Sequence, residues 1–287
     1  MGQVGGWFPP GGGAPRGLWD ALKHSVPPEA RRALRRAGRV ASSVPRRWLG
    51  TITHVDTDEP LVALTFDDGP HPASTPRFVE ALEAHGARAT FFVIGKLARR
   101  YPELVARLRA GGHALGNHSW DHASFPAISR AERRAQLRAW VDAVGDAGPR
   151  LFRPPYGNQT LLTHLEVRWQ GWEVVTWSVV ARDWTGDGAE AIAQRVLRGL
   201  RPGAIVLMHE RLHRYEDVRY ASREPVLAAL VEVLAAAGRS YRFVTVPELL
   251  RAGRPNREIW IQPGQPDYLA RLRADEEGGT DGTFSGT

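Results

Sequence analysis

Residues able to bind a metal ion and to transfer protons occur in short stretches of this sequence. His118 and His122 are four residues apart, so on a helical turn both imidazoles would lie on one face and could share a cation. With one carboxylate from Asp67 or Asp68, they would form an open ligand set suited to Zn²⁺ or another divalent transition metal. The spacing alone is weak evidence, because such histidine pairs are often unliganded, and Ser119 excludes the HExxH metalloprotease motif.

The adjacent aspartates Asp67 and Asp68 have two interpretations. Gly69 and Pro70 follow them and indicate a turn, so the pair could simply cap the next helix. Alternatively, neighbouring side chains after a strand point in different directions, so one carboxylate could ligate a metal while the other faces a water molecule. That second arrangement is what metal-assisted hydrolysis with a separate base requires.

Three further reactive side chains also follow apolar runs. Arg153 follows the run at 151–152, Asp183 follows the run that ends near residue 180, and His209 follows the run at 204–208. A solvated loop after one strand is common, but charged groups after five strands in one order are much less expected by chance. Because the carboxyl ends of parallel strands meet at one edge, we expect these groups to converge there.

The elements that would position these residues alternate between strand and helix patterns. The predicted strands are short and mostly apolar, as strands buried on both faces are: 61–66, 89–94, 113–116, 151–153, 173–179, 204–208 and 242–244. The predicted helices are 76–85, 96–110, 131–147, 161–170, 189–200, 225–237 and 247–251. Seven strand–helix pairs predict an α/β fold, either a parallel barrel or a doubly wound sheet.

The reactive stretches form five motifs in a fixed order: Thr65-Phe66-Asp67-Asp68-Gly69, His118-Ser119-Trp120-Asp121-His122, Arg153-Pro154-Pro155-Tyr156-Gly157, Asp183-Trp184 and Leu207-Met208-His209. They resemble the motifs of the polysaccharide deacetylases, the NodB-homology family known as carbohydrate esterase family 4. The resemblance covers residues 61–250, and the first two motifs together are highly specific. It implies a distorted, TIM-like (β/α)₇ barrel, in agreement with the strand count.

The resemblance also implies a role for each matching residue. It makes Asp67 the general base on the attacking water, held in place and kept ionised by Arg153. It makes His209 the general acid, oriented by Asp183. The implied metal ligands are Asp68, His118 and His122, and the implied substrate-binding residues are Tyr156 through its backbone N–H and ring, and Trp184 and Leu207 around the acetyl methyl group.

The function implied is that of a metal-dependent hydrolase that removes the N-acetyl group from an N-acetylglucosamine-type sugar or glycan and releases acetate. The cofactor would be one divalent metal ion, with zinc preferred and cobalt, nickel or manganese as alternatives. An O-acetyl esterase acting on a polysaccharide is the alternative enzyme. A non-catalytic glycan-binding barrel is the alternative from a different class. Retention of His209 favours an amide substrate, because an amine leaves poorly unless it is protonated.

One residue departs from the family pattern. The position three residues before Asp183-Trp184 is commonly acidic in the family, and here it is Val180. The difference is interpreted either as a tolerated local variant or as a change in the surroundings of the site or in the substrate. The stretch 210–222, which follows His209, is interpreted either as a cap over the substrate groove or as an ordinary surface loop.

Composition and charge limit the kinds of site and partner that the chain can have. The chain has 287 residues and no cysteine, which excludes disulfide frameworks, cysteine zinc sites and thiol nucleophiles. The net charge of +7 reflects either an acidic partner or a bias toward arginine. Nucleic acid is not predicted as a partner, because none of the usual binding motifs is present. The predicted partner is the N-acetylated glycan substrate, and the chain is expected to be a monomer.

The two ends of the chain differ from the middle. We predict a Gly/Pro-rich and basic helical extension at 1–50, the deacetylase barrel at 51–255 and a solvated tail at 256–287. Within the extension, a helix over 27–41 carries several arginines, and the segment 27–48 could make weak contact with an anionic membrane. No signal peptide is recognised, so the expected location is cytoplasmic or peripheral to the inner face of the membrane, with export left open.

Overall fold

The computed structural model describes residues 46–145, 148–215 and 218–264. The predicted helix over 27–41 and most of the predicted N-terminal extension therefore lie outside the described residues. No described helix has both the length and the apolar character that a membrane span needs.

The central sheet consists of eight parallel strands, and they carry the polar residues discussed above at their carboxyl ends. Its strands are β2 (Leu61–Asp67), β3 (Ala89–Val93), β4 (Ala114–Asn117), β5 (Leu151–Phe152), β6 (Glu173–Val174), β7 (Val179–Val180), β8 (Ile205–His209) and β9 (Arg242–Phe243). Seven of them follow the order β6-β5-β4-β3-β2-β8-β7, and β9 pairs with the first residues of β2. This arrangement confirms the predicted α/β class and the parallel sheet.

Helices connect the strands of this sheet in nearly every interval. They are α1 (Arg46–Leu49), α2 (Thr75–Ala84), α3 (Gly95–Arg100), α4 (Pro102–Ala110), α5 (Arg130–Val144), α6 (Leu161–Trp169), α7 (Ala189–Gly199), α8 (Glu224–Ala237) and α9 (Val246–Ala252). Three short 3₁₀ turns lie at Phe125–Ala127, Pro155–Gly157 and Val218–Ala221. The predicted helix 96–110 is divided into α3 and α4 because Pro102 cannot donate a hydrogen bond to a preceding turn.

The core lies between the sheet and its helices. All seven residues of β2 are buried, as expected for a strand covered on both faces. Phe66 of β2 packs against Phe91 of β3 and Phe78 of α2, with ring centroids 5.1 Å and 5.3 Å away. The middle of the sheet is therefore stabilised by large apolar side chains, and the polar residues of the motifs lie at the carboxyl ends of the strands.

The predicted strand 173–179 is interrupted in the structure. The N–H of Val175 donates to Phe152 on one side, the N–H of Thr176 donates to Ile52, and the N–H of Ser178 donates to Ile205 on the other side. Because the chain changes hydrogen-bond partners within four residues, it forms two short strands, β6 and β7, instead of one.

A second, two-stranded sheet was not predicted. Strands β1 (Thr51–Asp56) and β10 (Arg254–Glu258) pair antiparallel. Ordered structure thus crosses the expected boundary between barrel and tail at residue 255 and continues to Gln262, which pairs with Gln159. The strand pattern of β10 was obscured by its polar sequence, Arg-Pro-Asn-Arg-Glu, since backbone pairing and polar side-chain contacts, such as Arg254 with Asp56 and Arg257 with Glu173, hold it instead of an apolar face.

Candidate active site

The adjacent aspartates at the end of β2 diverge. One carboxylate oxygen of Asp67 accepts a hydrogen bond from the guanidinium of Arg153 at 2.7 Å. Asp68 has a left-handed backbone with φ of 71°, and its carboxylate instead lies 3.0 Å from His122 Nε2 and 3.4 Å from His118 Nε2. Both carboxylates are almost fully buried.

Asp68, His118 and His122 form the group that could hold a metal ion. Their ligand atoms lie within 4.8 Å of one another, and all three residues are buried. Burial alone would raise the pKa of Asp68, but the adjacent imidazoles of His122 and His118 hold it well below its ordinary value. Burial lowers the pKa of His122. The lowered pKa keeps Asp68 a carboxylate, which is the form that binds a metal ion.

Two features of this group fit a metal ion. Asp68 Oδ1 is buried without a hydrogen-bond partner, an arrangement that is unfavourable unless another group binds there. In addition, the N–H at Nδ1 of His118 can donate to the Arg153 carbonyl oxygen at 2.9 Å, which leaves the lone pair of Nε2 directed toward Asp68. A backbone acceptor on the second ring nitrogen is usual for a metal-binding histidine.

The two histidines are not on a helical turn, contrary to the expectation from their spacing. The segment after β4 is a loop in which Ser119 and His122 have positive φ values of 66° and 69°. The side chain of Asn117 accepts a hydrogen bond from the N–H of Ser119 at 2.7 Å and so stabilises a turn that a helix would not contain. The loop, rather than helical periodicity, brings the two imidazoles together, with ring centroids 4.9 Å apart.

Neighbouring helices hold this loop from two sides. The first two N–H groups of α3, those of Gly95 and Lys96, donate to the carbonyl oxygens of Ser119 and Trp120. From α5, Gln136 Oε1 accepts a hydrogen bond from the N–H of Trp120 at 2.7 Å, and Gln136 Nε2 donates to Asp121 Oδ1 at 2.7 Å. The first N–H groups of α3 and the Gln136 side chain of α5 thus hold the loop that carries both histidines.

Arg153 lies next to the site with no exposed surface. Its Nη1 donates to Asp67 Oδ1 and to Thr65 Oγ1, both at 2.7 Å, and its Nη2 donates to the Thr176 carbonyl oxygen at 2.8 Å. Burial lowers its pKa, and the Asp67 carboxylate opposes that effect. Its guanidinium also lies 4.0 Å from the ring centroid of Phe92. Arg153 is therefore held rigidly while it orients Asp67.

His209 and Asp183 form a second polar pair on the neighbouring strand. His209 is aligned with Asp67 in the register of β2 and β8, so the two residues lie side by side. Asp183 Oδ1 lies 2.9 Å from His209 Nδ1, and Asp183 Oδ2 accepts a hydrogen bond from the His209 backbone N–H at 2.7 Å. Burial alone would lower the pKa of His209, but the Asp183 carboxylate outweighs it and raises the pKa to about 9. His209 therefore carries its proton at neutral pH.

The three predicted substrate-binding residues lie around these groups. Tyr156 has a positive φ of 60°, and its ring meets the ring of His122 edge-on, with centroids 4.4 Å apart. Trp184 is half-buried and edge-on to His209 at 5.3 Å. Leu207 is buried in β8, where it pairs in register with Val180 of β7. Val180 thus lies beside the predicted acetyl pocket, and the roles of these residues stay predictions.

Two residues of the site were not predicted. Glu210 is fully buried, accepts a hydrogen bond from Thr75, and lies so close to Gly69 that any side chain at position 69 would collide with it. Burial raises the pKa of Glu210 to about 8. The backbone N–H of His213 donates to Asp68 Oδ2 at 2.8 Å, and its ring stacks on His122 at 4.4 Å. The start of the stretch 210–222 therefore contacts the site.

Comparison with known proteins agrees with this geometry. The family model for polysaccharide deacetylase matches residues 54–175. A chitooligosaccharide deacetylase from Sinorhizobium fredii is 37% identical over 198 residues, which cover 66% of this chain and 91% of the relative. A peptidoglycan-N-acetylglucosamine deacetylase from Listeria monocytogenes is 35% identical over 230 residues, 77% of this chain but only 47% of that longer protein.

The fold is also similar to solved structures. The crystal structure of the Bc1960 peptidoglycan N-acetylglucosamine deacetylase superposes with a TM-score of 0.63 at 28% identity, covering 71% of this chain and 94% of the other. This similarity, together with the seven-strand path of the parallel sheet, confirms the distorted (β/α)₇ barrel. The extent of the sequence similarity then identifies the protein at the level of its family: the chain belongs to the polysaccharide deacetylase family of hydrolases.

Proposed function

We propose that this protein is a metal-dependent N-deacetylase that releases acetate from glycans containing N-acetylglucosamine-type residues. The observation that carries the proposal is the placement of Asp67, held by Arg153, beside His209, held by Asp183, next to the buried Asp68–His118–His122 group. Base, acid and a potential metal site are thereby gathered at one edge of the sheet. The named activities of the similar chitooligosaccharide and peptidoglycan deacetylases support the same class of substrate.

The residues that would hold the metal ion are Asp68, His118 and His122. When bound, a divalent cation supplies Lewis-acid chemistry, which favours loss of a proton from water and offsets negative charge on the acetyl oxygen. The donor set of one carboxylate and two imidazoles suits zinc, and it also accepts cobalt, nickel or manganese.

Asp67 acts as the general base in this proposal. Its Oδ1 is occupied by the hydrogen bond from Arg153, so the proton of the attacking water goes to Oδ2, which lies 3.8 Å from His118 Nε2. The hydrogen bond from the adjacent guanidinium fixes the orientation of the carboxylate. Asp67 therefore needs no rearrangement before it accepts the proton.

His209 acts as the general acid. Its Nδ1 faces Asp183, so the proton at Nε2 is available for the leaving nitrogen. An amine is a poor leaving group unless it is protonated, whereas an alkoxide leaves more readily, and a pKa of about 9 keeps His209 protonated at neutral pH. Because a protonated general acid benefits amide cleavage more than ester cleavage, the site favours N-acetyl over O-acetyl groups as the substrate.

The proposal is tested by measuring acetate release from N-acetylated chitooligosaccharides and from O-acetylated xylan after addition of a divalent metal. We expect preferential release from the N-acetylated substrate. Asp67→Asn should lower the rate by roughly 10²–10⁴-fold, the usual effect of removing a positioned base, while Asp58→Asn at an exposed site should leave it unchanged. No acetate from any N-acetylated sugar, or full activity of Asp67→Asn, would contradict the proposal.

A second variant separates the two reaction types. His209→Ala should slow amide hydrolysis far more than hydrolysis of an acetyl ester with a good leaving group, because only the amide requires protonation of the departing atom. The comparison uses kcat for the two substrates with the same metal-loaded preparation. Equal losses on both substrates would show that His209 is not the leaving-group acid.

A further inference from the structure

The outward face of α6 is apolar along its whole length. The four exposed residues of this helix are Leu161, Leu162, Leu165 and Trp169, and none carries a charge. Trp169 is 90% exposed and Leu162 is 61% exposed. A helix on the surface of a globular protein normally directs polar residues outward and apolar residues inward. Here Thr163 and His164 lie on the buried face, so the pattern is partly reversed.

Two neighbouring segments extend this apolar surface. Trp48 of α1 is 53% exposed, and α1 is joined to α6 by a hydrogen bond from His164 Nε2 to the Trp48 carbonyl oxygen at 3.0 Å. Ile261 is 52% exposed and precedes Gln262, whose backbone pairs with Gln159 just before α6 begins. We call the combined surface the α6 patch, and it comprises Trp48, Leu161, Leu162, Leu165, Trp169 and Ile261.

The sequence next to Trp48 is strongly basic. Between Ala30 and Val55 it contains seven arginines and no acidic residue. Arg47, next to Trp48, is exposed, and the guanidinium of Arg168 lies 5.5 Å from the ring centroid of Trp48. An apolar surface with two exposed tryptophans is thus covalently joined to a cationic segment.

We propose that the α6 patch is a docking surface for an anionic lipid bilayer. Tryptophan and leucine side chains insert at the boundary between lipid headgroups and acyl chains, and neighbouring arginines are attracted to anionic headgroups. The α6 patch supplies the apolar side chains that insert, and the basic sequence next to Trp48 supplies the attraction to anionic headgroups. Neither the exposed tryptophans nor the absence of acidic residues from 30–55 is required by the barrel or by the active site.

The position of the patch connects it with the site. Only residues 158–160 separate the turn that contains Tyr156 from the first residue of α6. The indole N–H of Trp260, next to Ile261, donates to the Gly157 carbonyl oxygen of the same turn at 2.9 Å. A bilayer bound at the patch would therefore lie near the edge of the sheet where a glycan is processed. This last step rests on the proposed function, whereas the docking itself does not.

Vesicle binding by the full chain tests the proposal. The probes are phosphatidylcholine vesicles with and without phosphatidylglycerol, and the readout is the fraction of protein that cosediments. We expect binding to the anionic vesicles that decreases as salt is raised. Leu162→Glu and Trp169→Glu should each lower the partition coefficient about tenfold, because each removes an inserted side chain and adds a repelled charge. Val231→Glu, at a similarly exposed apolar residue of α8, should bind like the wild type.

Several outcomes would overturn the proposal. They are the absence of binding to anionic vesicles, equal binding by the patch variants and the wild type, and binding that is insensitive to salt. If patch variants instead lower the unfolding temperature and increase proteolysis within residues 1–45, the patch is covered by this chain's own N-terminal segment. If sedimentation velocity shows a dimer that the variants dissociate, the occupant is a second copy. Vesicle binding is measured without substrate, so a failure of the deacetylase proposal would leave this result interpretable.

Discussion

Left-handed backbone is concentrated at the residues that carry the proposed chemistry. Asp68, Ser119, His122 and Tyr156 all have φ between 60° and 71°. Such conformations cost on the order of 1–3 kcal/mol for residues other than glycine, although Asp and His tolerate them better than most. Surrounding contacts must therefore hold these residues in place, and Asp68 Oδ1 and His122 Nε2 lie 3.0 Å apart in the resulting arrangement.

The first prediction at the residue scale concerns the metal. His122→Ala removes one of three buried donors, so the zinc bound per protein after dialysis, measured by elemental analysis, should fall to a small fraction of the wild-type value. The barrel core does not include this residue, so the unfolding temperature of the metal-free protein should change little. His85→Ala, which removes an exposed histidine, is the matched control. Unchanged zinc content in His122→Ala would refute the assigned ligand group.

The second prediction concerns pH. Because the pKa of His209 is raised to about 9, the amide-cleaving rate should decrease on the alkaline side as the pH passes that value. Asp183→Asn removes the negative charge that raises the pKa of His209, so burial should lower that pKa and the alkaline limb should move toward lower pH. The same pair stabilises the folded protein fully below the ordinary histidine pKa of 6.5, and this stabilisation is lost as the pH rises through about 9. An alkaline limb at the same pH in both proteins would exclude His209 as its origin.

The third prediction concerns Val180, the departure from the family pattern. Val180 pairs in register with Leu207, so an aspartate there would add a half-buried negative charge beside the predicted acetyl pocket. Val180→Asp should therefore change the pH profile or the substrate preference, measured as the ratio of kcat/KM for N- and O-acetylated sugars. Activity in Val180→Asp alone, with none in the wild type, would show that the wild-type site is incomplete.

The residues of the site were predictable to different degrees. Asp67, Asp68, Arg153 and His209 could be identified because chemically distinctive side chains directly follow apolar runs. Glu210 had a weaker signal, a carboxylate immediately after a buried strand. Gln136 and His213 had none, because Gln136 contacts the histidine loop from the middle of α5, His213 is placed by a loop, and no periodic pattern encodes either contact.

At the scale of elements, the loop that carries both histidines depends on α5. Gln136→Ala would remove the acceptor of the Trp120 N–H and the donor to Asp121. We expect zinc affinity to fall about 10- to 100-fold, as for other residues that orient metal ligands. Zinc competition with a chromogenic chelator measures this change, and the exposed Arg138→Ala on the same helix serves as control. A loss of thermal stability without a change in zinc affinity would indicate a purely structural role.

The presence of strands and helices could be predicted better than the residues at which they begin and end. Periodicity located β2, β3 and β8 closely, since each is apolar and buried on both faces. It could not predict the break between β6 and β7, because that break arises from a change of hydrogen-bond partner within the segment 173–179 and not from a change in its sequence pattern. The pairing of β1 with β10 was equally difficult to predict, since the two strands are about 200 residues apart in the sequence.

At the scale of the whole molecule, that pairing joins the two ends of the barrel. A chain truncated before Arg254 would lose β10 and the pairing of Gln262 with Gln159. We expect its unfolding temperature to be lower by about 5–10 °C, equivalent to a few kcal/mol for a domain of this size. A chain truncated after Gly264 retains both contacts and should unfold like the full chain. Equal unfolding temperatures for the two truncations would show that β10 contributes no stability.

The same pairing also constrains the order in which the protein can be completed during synthesis. Thr51 pairs with Glu258, so β1 leaves the ribosome long before its partner exists. At ordinary elongation rates of about 5–20 residues per second, the delay is roughly 10 to 40 s. During that interval the backbone groups of β1 that later pair with β10 have no partner in that strand. Unpaired strand edges favour aggregation, so this edge is exposed to association with other chains until residues 254–258 are made.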